Sequence, residues 1–302
     1  MLRKEGYKKP ILLLTEPNID ELKYILNYHI TPCVNTRYIA TKLNSIFKKK
    51  KMTCPIHIEV DTGMNRSGIK TGDTISYAAY LKKLKYINIE GIFTHLADAD
   101  MVTCIRSTNQ LTTFNELVKS LDEMRIEPKL IHIYASSGIF MPHKKTTNCV
   151  RIGSIIYGIQ SSLEKTYPLP IVPALTWKSK VLSISNIPKG AYVGYGKDWC
   201  ARKNSKIATI SVGYSDGVRK TPGGFKQVLC RGNRAPVIGT ISMCELTVDV
   251  SNIAEVSIGD EIVLIGKQEK GYIGLEEIAK NMKTVPEEIT TSISQSIPRL
   301  FI

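Results

Sequence analysis

The sequence has no apolar run approaching the ~18 residues of a membrane span, and its first residues, Met1-Leu2-Arg3-Lys4-Glu5-Gly6, lack the apolar core of a signal peptide. It has no internal repeat and no low-complexity tract. Its seven cysteines (Cys33, Cys54, Cys104, Cys149, Cys200, Cys230 and Cys244) are odd in number, and no two sit at metal-ligand spacing. A disulfide framework and a cysteine-held metal are therefore disfavoured, and free thiols in a reducing cytoplasm are expected. The charge is +14, from 41 basic and 27 acidic residues, but only Lys48 to Lys51 form a run. A nucleic-acid site needs basic residues gathered on one face. The spread seen here implies a solvated lysine-rich surface, with no nucleic-acid or membrane partner.

What is present fits a soluble globular chain of two domains. Hydrophobic residues make up 43% of the 302 and charged residues 23%, which permits a sizeable core. The first half alternates strand and helix patterns. Ile11–Leu14 reads as a buried strand, and Asn18 can cap a helix beginning near Ile19. Ile56–Val60, Ile87–Phe93 and Leu130–Tyr134 read as further strands. Gln110–Met124 carries Leu111, Phe114, Leu117, Val118 and Leu121 on one helical stripe. Such alternation predicts a parallel sheet or barrel. Three prolines within 168–173 predict a stiff extended linker. Beyond it, glycine turn signals at Gly190, Gly194, Gly213, Gly223-Gly224, Gly232 and Gly259 predict a mainly β domain, interrupted by a helix near Leu275–Asn281. The expected division is 1–170 and 171–302.

Polar groups gather where strands end. Asp61-Thr62-Gly63-Met64-Asn65-Arg66-Ser67-Gly68-Ile69 follows the first of the inner strands, and Thr94-His95-Leu96-Ala97-Asp98-Ala99-Asp100 the next. A βα-barrel presents its active groups in this way. Five more strings follow in order: His132-Ile133-Tyr134-Ala135-Ser136-Ser137-Gly138, Val150-Arg151-Ile152-Gly153-Ser154-Ile155-Ile156-Tyr157-Gly158, Val193-Gly194-Tyr195-Gly196, Val212-Gly213-Tyr214-Ser215-Asp216-Gly217 and Gly239-Thr240-Ile241-Ser242-Met243. Together the seven strings resemble the motifs of the alanine racemase family, over essentially the whole chain. The fold this implies is an incomplete TIM-type (β/α) barrel followed by a mainly β C-terminal domain.

The resemblance implies an isomerase that interconverts L- and D-alanine with pyridoxal 5'-phosphate, supplies D-alanine for peptidoglycan, and works as a cytoplasmic homodimer with shared active sites. Ser136, Gly153 and Ser154 would hold the cofactor phosphate, since a hydroxyl and close-approaching amides suit an anion. Arg151 would face the pyridine nitrogen. Arginine is donor-only, so that nitrogen would stay unprotonated, a weaker electron sink that favours prompt reprotonation of the α-carbon. Tyr195 would be the catalytic tyrosine, reaching the other subunit's site with His95 as its orienting partner. A phenol titrates near ~10 and serves as a base only where donors or positive charge stabilise the phenolate. Arg66 would contact the cofactor's phenolic oxygen and the substrate carboxylate, and Met243 would line the substrate pocket. Glu59 stands where many members carry a modified lysine, and is expected to hold Arg66 by an ion pair.

Three departures accompany these matches. Cys244 replaces an aspartate after Met243, and Gln295 replaces a tyrosine, so pocket size and substrate choice can differ. No V-V-K-A-N-A-Y-G-type string, which carries the family's cofactor lysine, occurs in the sequence. A full barrel needs roughly 250 residues, so roughly 80 residues, with that lysine, are expected before residue 1. A catalytically dead dimerising module and a racemase for serine or a bulkier amino acid are the alternative readings.

Overall fold

Strand β3 (Cys54–Asp61) sets the logic of the first unit. Ile56, Ile58 and Val60 join the buried cluster built with the helices, while His57, Glu59 and Asp61 alternate onto the other face and are also buried. A strand buried on both faces belongs inside a parallel sheet. In the computed structural model, which describes residues 1–142, 146–160, 162, 169–220 and 224–302, β3 pairs in parallel with β5 (Ile87–Phe93). On β5 follow β6 (Leu130–Ala135) and β7 (Cys149–Arg151). The short β4 (Ile69–Lys70) pairs with the other edge of β3. Ahead of it, β1 (Ile11–Leu13) and β2 (Ile30–Pro32) pair in parallel, and a bridge from Cys33 to His57 joins them to the same arc.

Helices α1 (Leu22–Asn27), α2 (Arg37–Lys49), α3 (Thr71–Lys82) and α4 (Ile105–Glu123) alternate with these strands. The hydroxyl of Thr36 caps α2 by accepting the Ile39 amide, and the Lys48–Lys51 run proves to be its C-terminal end, where lysines complement the helix dipole. Helix α4 begins five residues before the stripe predicted from Gln110. The Asp98 carboxylate accepts the amides of Arg106 and Ser107 and so holds the extra turn.

The second unit is antiparallel. Strands β8 (Trp177–Ile187), β9 (Ser205–Ile210), β10 (Gln227–Cys230), β11 (Asn233–Ile238), β12 (Leu246–Asp249) and β13 (Glu261–Gln268) run in the order β10-β11-β12-β9-β8-β13. A β10–β13 pairing closes the ring, which removes its open edges. Strand β14 (Gly271–Ile273) extends β13, and helices α5 (Leu275–Met282) and α6 (Pro286–Ser292) follow. The core holds Val228, Leu229, Val248, Ile262 and Leu264, with Trp177 edge-on to Phe225 at 5.7 Å.

The compact units are Met1–Ile152 and Gly153–Ile302. This division comes earlier than the one expected at residue 170. Ile159 already belongs to the second core, and the Gly158 Cα lies against the Val172 carbonyl. Of the turn and linker signals, Pro168 and Gly223 lie outside the described residues. Among the described residues no helix is long and apolar enough to cross a membrane.

Candidate active site

The polar face of the first unit converges on Arg151, at the end of β7. Its Nη1 donates to His132 Nδ1 (2.8 Å) and to the His132 carbonyl (3.0 Å). Its Nη2 donates to the carbonyls of Thr94 (2.9 Å) and Ile133 (3.0 Å) and reaches His95 Nδ1 at 3.3 Å. The guanidinium lies over the Phe93 ring, 5.1 Å from its centroid. Burial lowers its pKa to about 10, so it remains a cation at neutral pH.

Because arginine cannot accept, every nitrogen it meets must be a bare acceptor. His132 and His95 are therefore neutral, with the proton on Nε2. His132 Nε2–H then donates to His57 Nδ1 (2.8 Å), which fixes His57 in the same form. Burial first, then the Arg151 charge, pushes the imidazole pKa values down, to about 4 for His57, about 3 for His132 and about 4 for His95. The Arg66 charge also contributes at His95. Phe93 stacks on His132 at 4.7 Å and covers the line from one side.

The strand-end loops are held by their own polar groups. Asp61 Oδ1 accepts the amides of Gly63 (3.0 Å) and Asn65 (2.9 Å), and Oδ2 accepts Lys70 Nζ (2.6 Å). Burial alone would raise this carboxyl, but those bonds bring its pKa below the usual range. Gln110, reaching in from α4, ties the two loops. It donates to Thr62 Oγ1 and the His95 carbonyl and accepts the Ala97 amide. Thr62 and Thr94 share a hydroxyl hydrogen bond of 2.7 Å.

The structure thus brings Arg151 and His95 together and places Arg66 on the exposed loop after β3, within electrostatic reach of His95. Ser136 is buried at the end of β6, and Gly153 and Ser154 open the second unit. One expectation is corrected. Glu59 Oε1 accepts from Ser67 Oγ at 2.9 Å, Arg66 is exposed, and among the described residues no ion pair joins Glu59 to Arg66. The neighbouring serine already occupies this carboxylate oxygen.

In the second unit, Tyr195 sits between two left-handed glycines, Gly194 (φ 74°) and Gly196 (φ 78°), and is 72% exposed. Thr240 Oγ1 donates to its carbonyl. The Gly213–Ser215 turn packs on the β11–β12 loop at Met243, where the Ser215 amide and hydroxyl both donate to the Met243 carbonyl. Tyr195, Tyr214 and Met243 are therefore exposed side chains on neighbouring loops. Cys244 is exposed beside Ser215 (3.6 Å), and Gln295 is exposed.

His57, His132, Glu90 and Gln110 were not assigned roles on sequence. The available signal was two histidines on the faces of β3 and β6 opposite the isoleucines. A steric constraint goes with them. A Cβ on Gly91, the register partner of His57, would lie 2.3 Å from the His57 ring. Gly91→Ala is expected to lower stability by about 1–3 kcal/mol through this overpacking, read as a fall in the urea midpoint at unchanged slope.

The architecture and the arginine–histidine site define an amino-acid racemase of the barrel-plus-β-domain type. Models of the alanine racemase N-terminal and C-terminal domains match residues 1–161 and 174–301. The alanine racemase of Halothermothrix orenii is 33% identical over 298 residues, covering 99% of this chain and 79% of that protein. The crystal structure of alanine racemase from Bacillus anthracis with bound L-Ala-P superposes with a TM-score of 0.89 at 30% identity, covering 100% of this chain and 78% of that one. Alanine racemase from Bartonella henselae with covalently bound pyridoxal phosphate gives 0.87 at 25% identity, covering 100% and 82%. The chain belongs to the alanine racemase family, whose members are amino-acid isomerases dependent on pyridoxal phosphate.

Proposed function

We propose that this chain carries the cofactor-orienting and proton-transfer groups of a racemase that interconverts L- and D-alanine. The observation that carries the reading is the state of Arg151. Both Nη groups are committed to protein acceptors, while among the described residues Nε–H has no partner. A part-buried cation with one donor left suits a ligand with an aromatic acceptor nitrogen, and pyridoxal phosphate is such a ligand. When bound, it supplies an electron sink for the α-carbon of an amino acid. Ser136 and the amides of Gly153 and Ser154 are the proposed phosphate donors. Arg66 is proposed to bind the substrate carboxylate, with Met243 lining the substrate pocket.

The proton at the α-carbon is assigned to Tyr195. His95 uses Nδ1 as acceptor from Arg151, so its Nε2–H is the donor it offers outward. A donor of that kind can hold a tyrosine oxygen in the anionic form a base requires. The exposure of Tyr195, with Tyr214 and Met243 on adjoining loops, supports a homodimer in which the tyrosine completes the partner's site. The implied setting is cytoplasmic supply of D-alanine.

The test uses the natural full-length protein with pyridoxal phosphate and alanine in D₂O. Wild type should exchange the α-proton of both antipodes and interconvert them. Tyr195→Phe should slow exchange from L-alanine by about 10²–10⁴-fold, the usual worth of a positioned base. Mixed dimers of Tyr195→Phe chains with Arg151→Lys chains should regain activity in one of two sites. Wild-type exchange in Tyr195→Phe, or no interconversion by the parent enzyme, would refute the reading.

A further inference from the structure

Behind Arg151 lies a line of groups for which the proposed chemistry has no direct use. From Arg151 Nη1 it runs to His132 Nδ1 at 2.8 Å, from His132 Nε2 to His57 Nδ1 at 2.8 Å, and from His57 Nε2 to Glu90 Oε2 at 3.8 Å. His57 and His132 are 2% and 1% exposed. The four residues come from three neighbouring strands and β7, so the line crosses the sheet at right angles to the chain.

Two local irregularities build it. The β3–β5 register slips between Ile56 and His57, which pair with Ile89 and Gly91. Glu90 is the extra residue of that bulge, and a bulge re-aims the side chain it carries. Gly91 then leaves room for the His57 ring, since a Cβ there would lie 2.3 Å from it. One slip and one missing side chain thus bring a carboxylate to the far nitrogen of a buried imidazole.

The direction of the line is forced. Arginine can only donate, so each imidazole accepts on Nδ1 and carries its proton on Nε2, and the last Nε2 lies 3.8 Å from a Glu90 carboxylate oxygen, beyond hydrogen-bond distance. The two hydrogen bonds, from Arg151 to His132 and from His132 to His57, run in one direction, an arrangement in which successive hydrogen bonds reinforce one another. We propose that His57 and His132 are positioning residues for Arg151, locking its two Nη groups in one orientation so that Nε–H remains the donor available to a ligand nitrogen. The ligand's identity rests on the racemase reading, but the line itself does not. The test below therefore needs no cofactor, so it fails or succeeds apart from that reading.

The experiment is nitrogen-15 NMR of the chain labelled at histidine and arginine. There are five histidines, so single substitutions assign them. At neutral pH, His57 and His132 should both show the neutral Nε2–H form with strongly downfield protons. The Arg151 Nη groups should appear as resolved, slowly rotating signals. His57→Phe keeps a ring but deletes the acceptor. It should shift the His132 Nε2–H proton upfield and speed Arg151 Nη rotation about tenfold, the factor one ordinary hydrogen bond carries. His57→Asn places a carbonyl oxygen where Nδ1 stood and should restore both signals. A purely space-filling role would leave Arg151 rotation equal in His57→Phe and His57→Asn. That result, or an Nδ1–H or cationic His132 in wild type, would overturn the proposal.

Discussion

Replacing Arg151 with glutamine should remove the centre of the first unit's polar face and cost stability on the order of 3 kcal/mol. The carbonyls of Thr94, His132 and Ile133 and the Nδ1 of His132 all accept from this one side chain. A buried acceptor left without a donor costs roughly 1–3 kcal/mol, and the shorter glutamine can serve only some of the four. Arg151→Lys provides the control. It keeps the charge but loses the planar fork, so it should recover part of the stability and none of the geometry. Urea unfolding of the three proteins reads the loss as a lowered midpoint at constant slope. In the full-length enzyme, both variants should also lose affinity for pyridoxal phosphate, because neither offers a fixed Nε–H. If Arg151→Gln unfolds at the wild-type urea concentration, the hydrogen bonds at this centre are energetically idle.

The elements of the first unit were legible where periodicity was strong. Ile87–Phe93 is a strand over the expected range, and Leu130–Tyr134 extends by one residue. Helix α2 was not read, although Ile39, Leu43 and Phe47 carry helical spacing, because the Lys48–Lys51 run looked like a solvated segment. Its Thr36 cap was the available signal. The early start of α4 depends on Asp98, a residue whose capping role appears only once the preceding loop has folded back. In the second unit, glycine turns announced β structure, but nothing in them could announce the β10–β13 pairing that closes the ring.

Single functional residues were legible from motifs, whereas their couplings were not. Arg151, His95 and Tyr195 stand in recognisable strings. The hydrogen bonds joining Arg151 to His132 and His57 depend on the register across β3, β5, β6 and β7 and on the slip at Glu90, which local sequence does not encode. The expected Glu59–Arg66 pair failed for the same reason. Spacing allowed both residues near one loop, but the chain delivers Ser67 to the carboxylate.

The buried imidazoles make the fold sensitive to acid in a defined window. His57 and His95 are held to about 4 and His132 to about 3, with burial as the main cause and the Arg151 charge next. An exposed histidine in the unfolded chain titrates near about 6.5. Above that pH both states are neutral at these sites, and stability does not depend on their protonation. As pH falls from about 6.5 toward 4, the unfolded chain takes up protons that the folded chain refuses, so stability falls. Three such groups give a slope of up to about 4.1 kcal/mol per pH unit. Below about 3 the folded state would protonate too, and this contribution levels off. The carboxylates of Asp61 and Asp98, held below their usual range, lose their contribution only at lower pH, so the two effects separate. Urea midpoints measured from pH 7.5 to 4.5 should therefore be flat at first and then fall steeply. His57→Asn removes one of the three protons and should lower the slope by about a third. A flat profile down to pH 4.5, or an unchanged slope in His57→Asn, would mean that these imidazoles are not held neutral by burial against Arg151.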